Sequence, residues 1–458
     1  MEGCARPDNH PLCVHQITET YKKYGGTSYD LKDHEEIIDG YDKFLNTWGF
    51  RKAFPTSESL FLALGKTCYE SWQNYLENAR ISDELDFAAI SGWESTAIEN
   101  HSGIVDNMRN FKADPTLISG SLLPVRPIAK QHALCVEQGK TAIFDLFLAN
   151  DTPNPALGTL TFSMIAPSGK RKDLITLPAP EHVIDQFSYL LKAGFETPEL
   201  VEEGLYRFKF SISSSPLSTQ TKEVWVTRAY SIGFDCKALR VGVSGISSQL
   251  RKELEELGCA VVSDFRPGET YGLIVSSGLT SHTKDEGQVG ETTGENDPMN
   301  ALQKTAQLGH LQHGILEAVQ AGTPLLAIPQ ADSLSEGVAR QLADSGAFKY
   351  AGAVGDFRAP WMGDWYFVRE HEVFAGMPVN QAMGGFYQAK GRESNGLLVE
   401  GENVEVLVGY SRDHDRKVGA GTFTARLGKG KILYHRVPDF QPVMQRRFLA
   451  NAMRWLTQ

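Results

Sequence analysis

A chain of 458 residues, 41% hydrophobic, 22% charged and 10% aromatic, has enough apolar material for roughly two to four packed domains. Its net charge of −11 argues against a nucleic-acid partner, which requires a basic face. No apolar run reaches the roughly 18 residues of a membrane span, and the opening MEGCARPDNHPL lacks the apolar stretch of a signal peptide, so a cytoplasmic chain with no membrane partner is expected.

Residues 1–120 carry helical patterning. Pro55, Thr56, Ser57 and Glu58 form a helix start with a hydroxyl available to cap free backbone N–H groups. Beyond it, Leu60, Phe61, Leu64, Cys68, Trp72, Tyr75 and Leu76 recur at spacings of three and four and make one apolar face. LDFAAISG (85–92) has the composition of a short buried strand, and SGIVDNMRNFKADPTLI (102–118) reads as a turn followed by a closing helical segment. Strand then helix, flanked by a longer helix, is α/β logic.

Residues 121–230 change character. Pro124 and Pro127 mark a linker into TAIFDLFLA (141–149), GTLTFSMIA (158–166), GLYRFKFSIS (204–213) and KEVWVTRA (222–229), each alternating apolar and polar side chains. The pattern predicts an antiparallel immunoglobulin-like β-sandwich, with one helical stretch at EHVIDQFSYLLKAG (181–194).

Residues 231–458 return to strand–helix alternation: LRVGVSG (239–245), SSQLRKELEELG (247–258), CAVVSDF (259–265), YGLIVSSG (271–278), LQHGILEAVQAG (311–322), PLLAIP (324–329), GKGKILYHRV (428–437) and a final helix in FQPVMQRRFLANAMRWL (440–456). A mostly parallel, doubly wound α/β sheet is expected, interrupted by the polar, Gly-rich excursion SHTKDEGQVGETTGENDP (281–298). The fold class is therefore multidomain, α/β plus all-β.

Cys4, Cys13, Cys68, Cys135, Cys236 and Cys259 lack CxxC spacing, so neither a metal site nor a disulfide framework is expected, and the thiols read as mostly buried. VGVSGISS (241–248) follows a strand but has neither GxGxxG nor GK[ST]; tight-turn geometry is favoured over nucleotide binding, and no cofactor is expected. The third region resembles class I amidotransferases and their non-catalytic relatives, on HEVFAGMP (371–378) and the doubly wound layout. The nucleophile elbow implied by that resemblance falls at QADSLSEG (330–337), which has no Cys. Ser333 and Ser335 lack a G-x-S-x-G frame, and His435 with Asp439 makes no triad without a nucleophile. A catalytically silent domain is the expectation.

The chemistry-bearing stretch is SGWESTAIENHSG (91–103), which follows the predicted strand 85–92. Strand ends are where catalytic groups gather in a (β/α)8 barrel. There Trp93 would offer a stacking face, Glu94 a carboxylate, and Asn100 and His101 polar contacts. The competing reading leaves Glu94, Asn100 and His101 bonding loop backbone only.

DFAAISGWESTAIENHSGIVDNMRNFKADPTLI resembles the end of the catalytic barrel in glycoside hydrolase family 2, the family of β-galactosidases, β-glucuronidases and β-mannosidases. There a Trp-bearing eighth strand leads into a G-I/L-x-D-x-x-R-x-x-K run, matched here by Gly103, Ile104, Asp106, Arg109 and Lys112. An immunoglobulin-like sandwich follows the barrel in many members, and residues 231–458 also look like the flavodoxin-like trimerisation domain of family 42 β-galactosidases.

The resemblance implies hydrolysis of O-glycosidic bonds by a retaining two-carboxylate mechanism, with an acid/base Glu on the fourth barrel strand and a nucleophile Glu on the seventh. A barrel needs about 250 residues and residues 1–120 hold only its end, so the expectation is a truncated or split C-terminal portion with little activity alone. Its partners would be a carbohydrate substrate, an upstream half of the enzyme and further copies of itself. Glu2 is the early carboxylate available to the seventh-strand position; a frayed terminus is the competing reading. The alternative function is a non-catalytic carbohydrate-associated or oligomerisation protein.

Overall fold

The computed structural model describes residues 2–3, 13–25, 29–82, 85, 89–90, 104–105, 109–230, 234–259, 261–280, 309–329, 332–354, 364–387, 396–412, 416–437 and 440–458. It is a mixed α/β structure with several sheets.

The first segment holds β1 (Glu2–Gly3), α1 (Cys13–Lys23), α2 (Tyr29–Thr47), α3 (Ser57–Arg80), β2 (Ala89–Ile90) and α4 (Thr116–Ser121). Helix α3 starts at the predicted signal. Thr56 Oγ1 accepts from the Ser59 N–H and Ser59 Oγ accepts from the Thr56 N–H, both at 3.2 Å, so two otherwise orphaned donors are satisfied reciprocally. The predicted apolar stripe is buried, but it serves two cores. Leu60, Phe61 and Leu64 join α2 residues Ile37, Tyr41, Phe44 and Leu45 against the large C-terminal sheet. Cys68, Tyr69, Trp72 and Leu76 pack with Ile118 of α4 in a cluster of their own.

Strands β3 (Val125–Gln131), β4 (Cys135–Glu137), β5 (Ile143–Asn150), β6 (Thr159–Ile165), β7 (Arg171–Pro178), β8 (Ser188–Glu196), β9 (Gly204–Ile212) and β10 (Ser215–Thr227) form two sheets, β4-β10-β9-β6-β7 and β3-β5-β8. All pairs are antiparallel except β4 with β10. The two sheets enclose one core of Phe144, Leu146, Leu148, Phe162, Phe208, Phe210, Val224 and Val226, the alternation read from the sequence. The predicted helix at 181–194 is absent. Asp185 has φ of 62°, a left-handed conformation that interrupts a helix, and the second half of the stretch is β8, laddered to β5 with Tyr189 buried and Leu190 exposed. Cross-strand pairing outweighed a local apolar spacing that suited either state.

Strands β11 (Arg240–Ser244), β12 (Val261–Asp264), β13 (Leu273–Ser276), β14 (Leu279–Thr280), β15 (Gly309–His310), β16 (Leu325–Ala327), β17 (Lys349–Val354), β18 (Asp364–Val368), β19 (Gln381–Ala382), β20 (Gly396–Glu400), β21 (Glu405–Arg412), β22 (Gly419–Leu427) and β23 (Gly430–His435) complete the chain with α5 (Ser248–Glu256), α6 (Ile315–Ala321), α7 (Asp332–Asp344) and α8 (Pro442–Thr457). The main sheet runs β12-β11-β13-β16-β23-β22-β21-β18-β19. From β12 to β23 every pairing is parallel. From β23 to β19 every pairing is antiparallel. The sheet is therefore parallel over one half only, because the tight turn between Leu427 and Gly430 folds β22 straight back on β23 and a short connection of this kind forces antiparallel pairing. Residues of α5 and α8 line the core on one side of this sheet; residues of α6 and α7 line the core on the other, together with those of α2 and the start of α3.

A buried ionic cluster ties α3 to the sandwich. Glu77, 2% exposed, meets Arg126 Nη2 of β3 at 2.9 Å and Lys222 Nζ of β10 at 2.9 Å. Gln220 donates to the same carboxylate at 2.6 Å and accepts from the Ala129 N–H at 2.6 Å. Lys222 donates to Asn74 Oδ1 at 2.7 Å. Removing the carboxylate strands two buried cations, so Glu77→Ala is expected to lower stability by about 3 kcal/mol or more, read from urea unfolding followed by tryptophan fluorescence.

Candidate active site

The first place to look for chemistry is the strand pair β1–β2. It is parallel, with Glu2 opposite Ala89 and Gly3 opposite Ile90. Glu2 thus stands on a strand beside the one that leads into SGWESTAIENHSG. Trp93, Glu94, Asn100 and His101 lie outside the described residues, as do Gly103 and Asp106 of the family run. The far end of that stretch is held by α3: Tyr69 Oη donates to the Ile104 carbonyl and accepts from the Lys112 N–H at 3.3 Å. Lys112 is itself buried, and a bridge between Val105 and Phe111 closes the turn around Arg109, whose φ is 66°.

The second place is the carboxyl edge of the parallel strands. Gly245 has φ of 67°, and a Cβ there would lie 2.1 Å from the Gly278 carbonyl oxygen, so the loops after β11 and β13 touch backbone to backbone. Ser247 caps α5 by accepting from the Leu250 N–H at 3.1 Å. Ser333 and Ser335 fall in the first turn of α7. His435 is the last residue of β23 and only 2% exposed. Its Nδ1 lies 2.8 Å from Thr422 Oγ1 and its ring packs 4.1 Å from that of Phe448. Asp439 lies outside the described residues.

Sequence reasoning missed a third place. The turn between β20 and β21 carries Glu400, Glu402 and Glu405 and separates grooves of about 400, 470 and 260 Å³. Trp48 lines the first, Lys349 and Arg426 the second, Lys431 and Trp455 the third. Lys349 donates to Glu400 at 2.6 Å and holds its carboxyl below the usual range. Arg369 donates to Glu405 at 2.5 Å. His371, 3.9 Å from Glu405, is pulled below its ordinary value mainly by burial. Two of the three carboxylates, Glu400 and Glu405, are thus matched by cations. The available signal was EGENVE (400–405), three carboxylates within six residues around a turn. Among the described residues no three His, Cys, Asp or Glu side chains converge on a metal position, and no helix is long and apolar enough to cross a membrane.

The chain matches no protein-family model and no curated protein. Among solved structures it is similar to a β-glucosidase from Listeria innocua in complex with gluconolactone, at 13% identity and a TM-score of 0.16, over 22% of this chain and 16% of that one. It is also similar to the β-glucuronidase of Bacteroides uniformis, at 14% identity and a TM-score of 0.14, over 46% of this chain and 24% of the other. A DNA-bound alkylpurine DNA glycosylase from Pseudomonas fluorescens scores alike, at 12% identity and a TM-score of 0.15 over 24% and 33%. The chain thus spans a small part of the structures it matches, and likenesses at these scores decide neither fold nor activity.

His435 gives the region a pH signature. Burial holds its folded-state value down to about 3, whereas in the unfolded chain it takes a proton near pH 6.5. Between these values the unfolded chain binds the extra proton, so stability falls as the pH is lowered through that window. Acidification from pH 7 to about 5 is expected to cost on the order of 2 kcal/mol that His435→Gln does not lose, measured by urea unfolding at each pH.

Proposed function

We propose that this chain is the C-terminal portion of a retaining glycoside hydrolase of the family 2 kind. The observation that carries the reading is the parallel pairing of Glu2 with Ala89. In a (β/α)8 barrel the catalytic groups stand at the ends of neighbouring parallel strands. A pair consisting of a Glu-bearing strand and the strand leading to Trp93 and Glu94 suits the seventh and eighth positions. The strand order β12-β11-β13-β16-β23, which is 2-1-3-4-5 in chain order, supports a flavodoxin-like reading of residues 231–458. The two-sheet core supports an immunoglobulin-like reading of 121–230.

In this proposal Glu2 is the nucleophile. A general-acid carboxyl from the remaining barrel strands protonates the glycosidic oxygen, and Glu2 attacks the anomeric carbon as the leaving alcohol departs. Water, deprotonated by the same acid/base group, then displaces Glu2 with net retention. Trp93 supplies the stacking face for the sugar, Glu94 accepts from a substrate hydroxyl, and Asn100 and His101 order the loop and its hydroxyl contacts. The two-carboxylate reaction uses no cofactor.

The 458-residue chain alone is expected to leave aryl β-glycosides unhydrolysed. When it is joined to the missing strands, a 2-deoxy-2-fluoroglycoside is expected to label Glu2, found by peptide mass mapping, and Glu2→Gln to lower kcat by about 1,000-fold or more. Strong turnover by the chain alone, or a label on another carboxylate, would overturn the assignment.

A further inference from the structure

Residues 234–239 connect the sandwich to β11, and Cys236 lies on this connection. Its side chain is 5% exposed, in the core with Val241, Leu250 and Leu254. Cys236 Sγ donates to the carbonyl of Leu257, the residue that caps the C-terminus of α5, at 3.0 Å, which pins the connection there. Cys259 stands two residues beyond that carbonyl, half-buried against the same core. Burial first, and the neighbouring Cys236 thiol after it, raise the Cys259 thiol above its ordinary value, and both thiols are free. The sequence had offered no reason to pair them, since 22 residues lie between the two positions.

We propose that Cys236 and Cys259 are a redox modification site, closing to a reversible intrachain disulfide that staples the connection to the first strand–helix unit. With Cys236 Sγ 3.0 Å from the Leu257 carbonyl and Cys259 two residues further on in the same core, side-chain rotation is the movement that would bring the sulfurs to the S–S length of about 2.0 Å. A small disulfide such as oxidised glutathione is the oxidant. The more accessible Cys259, as thiolate, attacks one glutathione sulfur, forming a mixed disulfide and expelling one glutathione thiolate. Cys236, as thiolate, then attacks the Cys259 sulfur and expels the second. Two protein S–H bonds are lost, one S–S bond forms, and the two protons and two electrons leave in two molecules of reduced glutathione.

Burial raises Cys259 well above its ordinary value, so the first attack is slow at neutral pH and quickens as the pH rises. The closed ring contains β11 and α5 entire, and so restrains the unfolded chain across the first unit of the sheet. Of the other described thiols, Cys135 donates to the Phe386 carbonyl and Cys68 packs within the Tyr69–Trp72 cluster.

The test uses the purified full chain, folded, incubated with oxidised glutathione at about pH 8 and then digested without reductant after the free thiols are blocked. The expected product is a peptide pair joined through Cys236 and Cys259, about 2 Da lighter than the sum of its parts and separated by dithiothreitol. The oxidised chain is expected to melt roughly 3 °C higher than the reduced one, and Cys236→Ser and Cys259→Ser each to abolish both the cross-link and the shift. Recovery of both cysteines as free or singly glutathionylated residues, or their pairing with other cysteines, overturns the proposal. A 236–259 cross-link with an unchanged melting temperature overturns the staple. The wild-type peptide map decides the pairing even where a serine variant fails to fold.

Discussion

The carboxylate of Glu77 is buried between two cations that reach it from different strands, Arg126 on β3 and Lys222 on β10. None of the three side chains is more than 9% exposed, and burial of an unpaired charge costs several kcal/mol. The C-terminal half of α3 can therefore dock on the sandwich in one way only, the way that brings all three together. Arg80 extends the same contact one turn on, donating to the Pro124 carbonyl at 3.1 Å and to Asp151 at 2.8 Å. The N-terminal half of α3 is held elsewhere, with Leu60, Phe61 and Leu64 in the core of the C-terminal sheet. A helix fixed at both ends in different cores sets the position of everything attached to it. That includes the Ile104–Lys112 turn gripped by Tyr69.

Part of the attachment of the first segment to the large sheet runs through one aromatic ring and the glycine beneath it. Phe367 of β18 is met by Phe44, Phe50 and Phe54 with ring centroids 5.7, 5.4 and 5.7 Å away, all steeply inclined. Edge-to-face contacts of this kind add to the value of the buried area itself. The ring lies close over Gly409 of β21, where a Cβ would approach it to 2.2 Å. Gly421 of β22 stands in the same relation to Tyr366, at 2.6 Å. The antiparallel half of the sheet is thus where the helices of the first segment find their seat. The parallel half carries the switch from one crossover direction to the other.

These packing demands also sort the candidate groups by chemical readiness. His435 is neutral at working pH, buried and hydrogen-bonded to Thr422, which is the condition of a core side chain. Glu400 and Glu405 of the 400–405 turn are matched by Lys349 and Arg369.

The residues alone determined most of the local structure. The Thr56–Ser59 start of α3, the alternating strands of the sandwich and the helix α5 could be read directly, because each depends on contacts within a few residues or on a period of 2 or 3.6. They also carry the expectation that residues 91–103 bear the chemistry, and the family resemblance on which the proposed function rests. Tertiary structure decided what depends on partners far along the chain. Residues 188–196 became a strand because β5 was there to pair with them, and half the large sheet turned antiparallel because β22 folds back on β23. The two apolar ends of α3 went to different cores, a division invisible in a single stripe of spacings. The approach of Cys236 to the Leu257 carbonyl near Cys259, and the pairing of Glu2 with Ala89, arise in the same way. Each joins residues whose separation in sequence carries no local signal, so only the closing of the fold brings them together.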